Sequence, residues 1–413
     1  MPLARIKPLP AGVRSNLVLR RQTDLPELTV DPGLKNRLSQ GHPWIYADQL
    51  RSDVRLASGT WVQVRSGSWR GIGLWDARSA IGVRLFSERS IPNEQWVRER
   101  VEAAWLLREP LRQAGHTAYR WLYGEGDGMP GVTVDLYGDY AVVQTYAESV
   151  DVLVPWVVSA LHATTRLRGI LERADVDGQD RSGRLQAHWG ELPPETFTVR
   201  EHNLSFLANL YAGQKTGLFL DQRDNRQTIR HWARDRSVLN CFAYTGAFSV
   251  YAAAGGATHV VSNDVAGGAL DDARRNVALN NLDLSAHEFI DDDSFALLSR
   301  YAEQGRVFDL VILDPPSFAR SKQNQYAAIR AYTRLNVLAL RCVREGGLLA
   351  SSSCTSQVSP AQFHAMLSAA ADGANRRLVM LHDAGQPLDH PVPAHFPEGR
   401  YLKFVLSVVR EVP

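Results

Sequence analysis

Apolar runs alternate with amphipathic stretches along the second half of the chain. Seven runs have the length and composition of buried strands, at 238–242, 259–264, 287–290, 308–313, 348–353, 377–382 and 401–409. Helical periodicity fills several of the gaps, at 267–280, 323–343 and 360–371. Strands that alternate with helices predict a parallel sheet in a doubly wound α/β fold. A proline-rich segment joins the last two runs, which permits an antiparallel final strand.

The first half of the chain has shorter, alternating patterns. Residues 60–65 and 80–86 alternate apolar and polar side chains between Gly and Ser turns, which predicts a small β-barrel. Helical spacing over 94–116 predicts a connecting helix, and alternation over 132–137 and 140–146 predicts a β-hairpin. The polar stretch at about 175–195 predicts a loop. We therefore expect three domains, a barrel with a basic N-terminal arm at 1–92, a central α+β domain at 93–200 and an α/β domain at 201–413.

Composition narrows the class of protein. The 413 residues are 45% hydrophobic and 22% charged, as in globular proteins, and no apolar stretch reaches the roughly 18 residues that span a membrane. Three cysteines cannot build a disulfide framework, and no Cys/His cluster predicts a metal site. We expect a cytoplasmic protein. Residues 1–120 hold 19 Lys+Arg against 11 Asp+Glu, which favours a polyanionic partner at this end.

Polar residues follow the first three strands of the α/β half. Tyr244, Thr245 and Gly246 follow the first, where a glycine would let a ligand approach the backbone. Asp264 ends the second strand and suits a ribose diol. Three acids, Asp291, Asp292 and Asp293, follow the third strand and place carboxylates where an adenine amine could be held. Each acid alone is more often a helix cap or a solvated charge. No GxGxxG or GxxxxGK motif indicates a dinucleotide or a triphosphate.

The fourth and fifth strands end in residues that suit covalent chemistry. Asp314-Pro-Pro-Ser-Phe318 forms a stiff turn that leaves the Asp314 carboxylate facing the cleft. Cys354 follows the fifth strand in a run of small polar residues. A thiolate can attack the electrophilic C6 of a pyrimidine, and Asp314 could hydrogen-bond the ring edge. The alternative for Cys354 is a plain small residue, and the sequence leaves both interpretations open.

A charged segment precedes the first of these strands, at 214–226. This segment could cover a cofactor bound at the strand ends, or it could direct Lys215 and Arg223 against a phosphate or carboxylate. A helix N-terminus capped by salt bridges explains the same pattern equally well.

Together these motifs resemble the ribosomal-RNA cytosine-5 methyltransferases that carry an N-terminal PUA domain. The similarity covers nearly the whole chain, and its most specific parts lie at 214–217, 221–223, 242–248 and 314–318, with further matches at 41–46, 125–131 and 401–404. It implies the seven-stranded class I methyltransferase fold, with a Rossmann-like sheet, and S-adenosylmethionine (SAM) as cofactor. It implies that Cys354 attacks C6 to activate C5, with Asp314 as the second catalytic residue. The SAM contacts that we assign are Tyr244, Thr245, Gly246, Asp264, Asp293, Asp314, Lys215 and Gln222.

The same resemblance implies large-subunit ribosomal RNA as the substrate. The RNA contacts that we assign are Arg223, Pro315, Pro316, Phe318 and Lys322. The barrel, with arginines near Trp61, Trp69 and Trp75, could bind further RNA, although such tryptophans are more often core residues. A homodimer is suggested by the family, although no surface helix demands one.

Another branch of RNA cytosine-5 enzymes has a second cysteine where this chain has Ser317, so a single-cysteine scheme is implied.

Three alternatives stay open, namely a guanine-modifying enzyme, a uridine C5 enzyme and a non-catalytic RNA-binding protein. Related guanine-modifying enzymes share the motif at 314–318 but lack a cysteine after the fifth strand, which makes Cys354 the deciding residue. A uridine C5 enzyme would use the same nucleophile. A non-catalytic RNA-binding protein is the third alternative, and the intact Asp264, Asp314 and Cys354 argue against it.

Overall fold

Five strands pair into an N-terminal sheet in the computed structural model, which describes residues 25–51, 55–173, 185–211, 217–318 and 322–412. The sheet has the order β1-β3-β4-β5-β2, and the helix α1 (Lys35–Ser39) follows β1. The strands are β1 (Glu27–Thr29), β2 (Trp44–Tyr46), β3 (Trp61–Ser66), β4 (Trp69–Trp75) and β5 (Ile81–Ser87). Val30, just after β1, pairs with Leu50, just after β2, so the two edges of the sheet meet as in a barrel.

Two helices follow the barrel where the sequence predicted one over 94–116. They are α2 (Glu94–Leu107) and α3 (Glu109–Gln113). Asn93 caps α2 by accepting a hydrogen bond from the Trp96 amide at 2.9 Å. The first helix ends before Arg108, whose fully buried side chain forms a bidentate ion pair with Asp127 at 2.7 Å. Pro110, in the first turn of α3, favours the start of a new helix.

A second five-stranded sheet forms the central domain, in the order β10-β9-β8-β7-β6. Its strands are β6 (Ala118–Tyr123), β7 (Val132–Tyr137), β8 (Tyr140–Thr145), β9 (Gly169–Arg173) and β10 (Leu185–Gly190), and α4 (Val154–Thr164) joins β8 to β9. The predicted hairpin is present as the antiparallel pair β7–β8. The predicted loop at 175–195 is wrong for 185–190, because this polar segment pairs with β9 as a largely exposed edge strand. Residues 174–184 lie outside the described part of the chain.

A two-stranded hairpin, β11 (Phe197–Glu201) and β12 (Leu204–Ala208), links the central sheet to the α/β domain. Phe206 stacks on Tyr251 of the α/β domain with ring centroids 5.9 Å apart, and Tyr137 of the central sheet belongs to the same buried cluster. The predicted domain boundary at residue 200 therefore falls within a hairpin whose core is shared by both neighbours.

The last domain is a seven-stranded sheet in the order β15-β14-β13-β16-β17-β19-β18. Its strands are β13 (Ser237–Cys241), β14 (His259–Asp264), β15 (His287–Asp291), β16 (Phe308–Leu313), β17 (Val343–Ser353), β18 (Arg376–Ala384) and β19 (Lys403–Glu411). Its helices are α5 (Arg223–Trp232), α6 (Ala247–Ala254), α7 (Gly267–Leu279), α8 (Ser294–Glu303), α9 (Gln325–Arg341) and α10 (Pro360–Gly373). Strand β19 is antiparallel to both neighbours, and β13 to β17 are parallel. The predicted α/β fold with a reversed last strand is confirmed.

Helices cover both faces of the sheet, so its central strands are buried and only their ends are open to a ligand. Val238, Val261 and Val311 are fully buried in the central strands, as expected when helices cover a parallel sheet. Each such side chain contributes about 1.5–3 kcal/mol of burial. Apart from a few small polar side chains inside the strands, such as Asn240 and Ser262, polar groups collect where the strands end. Among the described residues, no helix is both long and apolar enough to cross a membrane.

Candidate active site

The ends of β13, β14, β15, β16 and β17 lie side by side at one edge of the sheet. Cys241 pairs in register with Leu313, Leu313 with Ser351, and Asp264 with Asp291. The residues that follow these strands therefore share one cleft, which is where ligands bind in open α/β sheets.

The loop after β13 has an unusual backbone. Phe242 and Tyr244 have φ of 60° and 49°, which non-glycine residues rarely adopt, and Gly246 has φ of 74°. A Cβ on Gly246 would lie 2.7 Å from that of Ala273 in α7. The close approach that requires this glycine is thus to a neighbouring helix, whereas the sequence predicted an approach to a ligand.

Asp264 fixes this loop from the end of β14. Its carboxylate accepts the Tyr244 amide at 2.7 Å and the Ala266 amide at 3.0 Å, and the residue is half-buried. Because a carboxylate has about four acceptor positions, Asp264 can also accept from the two hydroxyls of a ribose. The buried Thr245 hydroxyl has no hydrogen-bond partner within the described part of the chain. An unpartnered hydroxyl and a strand-end acid are what the predicted SAM site requires, so these residues fit the cofactor.

Asp293 is exposed at the start of α8. Its side chain accepts the Ala296 amide at 2.9 Å and so caps the helix. This is the structural role that an acid at a strand end most often has. Its contact with adenine stays a prediction.

Gln222 holds Asp314 in place. The Gln222 amide, 2% exposed, donates to Asp314 Oδ1 at 2.7 Å and accepts from Asn225 Nδ2 at 2.6 Å. Gln222, predicted as a cofactor contact, therefore orients the carboxylate at the end of β16.

Arg223 forms a buried ion pair and does not reach the surface. It is fully buried and forms a bidentate ion pair with Asp389 at 2.9 and 3.0 Å. Burial of Asp389 raises its pKa, but the guanidinium outweighs this and holds the pKa below its ordinary value. With its charge paired in the interior, Arg223 has no surface to offer RNA, and the predicted RNA contact is corrected to a structural ion pair.

The other predicted RNA contacts differ in exposure. Pro315 is buried, Pro316 is exposed, and Phe318 is half-buried against Tyr332 with ring centroids 4.7 Å apart. Lys322 begins a 3₁₀ turn, Lys322–Asn324. Lys215 lies outside the described residues. In the barrel, Trp69 is buried, and Arg84 is buried beside Asp76 at 3.4 Å, which leaves fewer cations and rings for RNA than the sequence suggested.

Cys354 differs from the other two cysteines. It is half-buried directly after β17, and its Sγ lies 3.9 Å from the Pro315 carbonyl, so the β16 and β17 loops meet at the thiol. Cys241 and Cys342 are fully buried, and burial raises the pKa of the Cys342 thiol to about 11. Cys354 is therefore the one cysteine of three that a substrate can reach.

A buried lysine lies beside this thiol. Lys403, 1% exposed, faces Ser353 across the β17–β19 pair and donates to the Tyr401 carbonyl at 2.8 Å and to the Thr355 carbonyl. Burial lowers the pKa of Lys403 to about 8, and Cys354 acts in the opposite direction. No role for Lys403 was predicted, although a lysine at the start of a largely apolar strand was the signal that could have found it.

Tyr332 of α9 lies near both Cys354 and Asp314. Burial raises the pKa of its phenol to about 12, and the charges of Cys354 and Asp314 both act on it. The structure thus brings the predicted pair, Cys354 and Asp314, together with Gln222, Tyr332 and Lys403.

A Rossmann-like sheet with these strand-end groups defines a SAM-dependent methyltransferase of class I. Residues 180–382 match the family described as S-adenosylmethionine-dependent methyltransferase, and residues 28–88 match the PUA-like domain family. The chain is 35% identical over 395 residues to ribosomal RNA large subunit methyltransferase I of Cronobacter sakazakii, covering 91% of this chain and 97% of that protein. The same protein of Klebsiella pneumoniae is 36% identical over 387 residues, covering 92% and 97%. The chain belongs to the ribosomal RNA large subunit methyltransferase I family.

Solved structures agree with this fold. The structure of SMU.776, described as a methyltransferase complexed with S-adenosylhomocysteine (SAH), superposes with a TM-score of 0.83 at 25% identity, covering 93% of this chain and all of that one. A SAM-dependent methyltransferase from Streptococcus mutans gives 0.82 at 24% identity with the same coverage. The predicted PUA-like domain, methyltransferase fold and SAM cofactor are confirmed.

Proposed function

We propose that this protein methylates C5 of a cytidine in large-subunit ribosomal RNA through a covalent adduct between Cys354 and C6 of the base. The relatives at 35–36% identity are named for methylation of large-subunit ribosomal RNA. The observation that carries the cytosine chemistry is the half-buried Cys354 thiol at the strand edge that also holds Asp314. A direct transfer to a guanine nitrogen needs no such nucleophile.

The proposed reaction assigns each residue a step. The Cys354 thiolate forms a bond to C6, and the electrons of the C5=C6 double bond make C5 nucleophilic. SAM supplies the methyl group that C5 takes up. A base then removes the C5 proton, the S–C6 bond breaks, and the thiolate is restored with the double bond. Asp314, held by Gln222, accepts a hydrogen bond from the cytosine amino group, which uridine lacks.

A trapping experiment tests this chemistry. The enzyme is incubated with SAM and large-subunit ribosomal RNA that contains 5-fluorocytidine. Because fluorine cannot leave as a proton does, the cysteine-linked intermediate should accumulate as a denaturation-resistant adduct. Cys354→Ala should abolish the adduct, and Cys342→Ala, which removes a buried thiol, should keep it. Methyl transfer to ordinary ribosomal RNA without any adduct would overturn the proposal in favour of a nitrogen target.

A further inference from the structure

A cavity of about 450 Å³ lies between the central sheet and the methyltransferase domain. Three of its side chains form a row across adjacent strands, because Tyr123 of β6 pairs with Thr133 of β7, and Thr133 pairs with Gln144 of β8. Residues directly opposite in antiparallel strands project from the same face. Leu218 and Tyr401 of the methyltransferase domain line the cavity as well.

The polar groups of this row call for a ligand. Gln144 lines the cavity and is 7% exposed. The Thr133 hydroxyl also lines it, is buried, and has no hydrogen-bond partner within the described ranges. Buried donors and acceptors are rarely left unsatisfied, so a bound molecule with hydrogen-bonding edges would complete them.

Three charged residues of the cavity, Arg120, Asp221 and Glu125, each already make an ion pair or a hydrogen bond within the fold. Arg120 forms a bidentate ion pair with Asp135 at 2.6 and 2.9 Å. Asp221 accepts the Tyr401 hydroxyl at 2.5 Å, and Glu125 accepts the indole N–H of a barrel tryptophan at 2.8 Å. A phosphate or a carboxylate would need an unpaired cation. The cavity therefore suits a neutral ligand that can stack on the tyrosine rings and exchange hydrogen bonds with an amide.

The cavity shares a wall with the reaction centre. Asp221 precedes Gln222, which holds Asp314, and consecutive Cα atoms are only about 3.8 Å apart. On the other side, the Tyr401 carbonyl accepts a hydrogen bond from Lys403, which lies beside Cys354. One lining residue of the cavity, Asp221, and the backbone of another, Tyr401, are therefore adjacent to groups that hold or lie beside Asp314 and Cys354.

We propose that this cavity binds a second base of the RNA, next to the target cytidine along the strand. A nucleobase is neutral and planar, its faces stack on tyrosine, and its edge pairs with a glutamine amide. The inference rests on the proposed function, because it takes RNA as the substrate.

Gln144→Leu tests this site, since it keeps the size of the side chain and removes its donors and acceptor. We expect the Kd for unmethylated large-subunit ribosomal RNA, measured with SAH bound, to rise between about 5- and 100-fold. The Kd for SAH should not change. The matched control is Gln95→Leu, the same change on the exposed face of α2, which should leave both constants unchanged.

A measurement on the wild-type enzyme does not depend on the folding of a variant. After ultraviolet irradiation of the complex with ribosomal RNA, mass spectrometry should find nucleotide adducts on Tyr123, Tyr146 or Tyr401. An unchanged Kd for RNA in folded Gln144→Leu, or cross-links confined to other surfaces, would overturn the inference. A free nucleoside as the true occupant would give that unchanged Kd. Loss of RNA affinity in Gln144→Leu together with no 5-fluorocytidine adduct in the wild type would refute only the cysteine chemistry.

Discussion

Replacing Lys403 by methionine tests whether a buried ammonium makes Cys354 reactive at neutral pH. Lys403 faces the residue before Cys354 and donates to the carbonyl of the residue after it. Burial lowers the pKa of Lys403 to about 8, and the charge of Cys354 counteracts that loss. Because such coupling is reciprocal, the ammonium must stabilise the thiolate as much as the thiolate stabilises the ammonium.

The size of the effect follows from Coulomb's law. Opposite charges roughly 4–6 Å apart at an effective dielectric of about 20 attract by about 3–4 kcal/mol. Cys354 is partly exposed, and solvent screening reduces this attraction to about 1.4 kcal/mol, a factor of about ten in an equilibrium constant. Lys403 is mostly protonated below pH 8 and neutral well above it, so its effect is present at pH 7 and fades as pH rises through 8.

Alkylation of Cys354 by iodoacetamide, followed by mass spectrometry from pH 5.5 to 10, measures this effect without any turnover. Lys403→Met should alkylate about tenfold more slowly at pH 7 and at the wild-type rate above about pH 9.5. The buried Cys241 and Cys342 should stay unmodified. Lys35→Met, the same change at an exposed site, should leave the profile unchanged.

The result that would refute this reasoning is a folded Lys403→Met enzyme, with unchanged SAH affinity, whose alkylation profile superposes on the wild type. Asp314, Tyr332 and Arg400 are the other titratable or charged groups that act in this corner, and none of them is altered in the variant. Lys403→Arg keeps the charge and should keep a profile close to the wild type, which separates loss of charge from loss of fold.

Three further predictions concern the cofactor, the nucleophile and the fold. Cys354→Ala should abolish methyl transfer, while the Kd for SAM, measured by calorimetry, should stay within about twofold, because the proposed nucleophile acts only on the base. Activity within tenfold of the wild type would exclude Cys354 as the nucleophile. Asp264→Ala should weaken SAM binding about tenfold, since the proposed ribose contact and the hydrogen bond to the Tyr244 amide are both lost. An unchanged Kd would mean that the ribose is held elsewhere. Asp389→Asn should lower the free energy of unfolding by about 3 kcal/mol in denaturant titrations, because the buried Arg223 guanidinium loses its bidentate partner and keeps only the more exposed Asp224, 3.1 Å from its Nε. The pKa of Asp389 lies below its ordinary value, so this stabilisation is present at neutral pH and lost as the pH falls below about 4; equal stability of the two proteins at pH 7 would contradict it.

The strands of the α/β domain were predictable because parallel strands buried on both faces are continuous apolar runs. The candidate side chains at their carboxyl ends were predictable because each apolar run is followed there by polar residues, as at Asp264 and Asp314. The edge strand β10 was missed because Leu185–Gly190 is polar and mostly exposed, and such strands carry no alternating pattern.

The partners of individual charges could not be predicted. Arg223 stands in a charged motif, and only the fold brings Asp389, 166 residues away in the chain, to within 2.9 Å of it. Gln222 contacts Asp314, 92 residues away in the chain. A sequence pattern specifies which face of an element is buried, but it does not specify which two polar groups meet inside the fold.

Buried polar groups that destabilise the fold support the proposed position of the reaction centre. The last residues of β17 include Ser351 and Ser352, whose hydroxyls are buried without partners in the described part of the chain, and Lys403 is buried on the adjoining strand. Unpartnered hydroxyls and a desolvated ammonium destabilise a fold, and apolar residues of similar size would pack better there. Such local costs concentrate where a site must present polar groups to a substrate. Ser351 and Ser352 lie on the strand that ends just before Cys354, and Lys403 lies on the neighbouring strand, which supports the proposal that Cys354 has a chemical role.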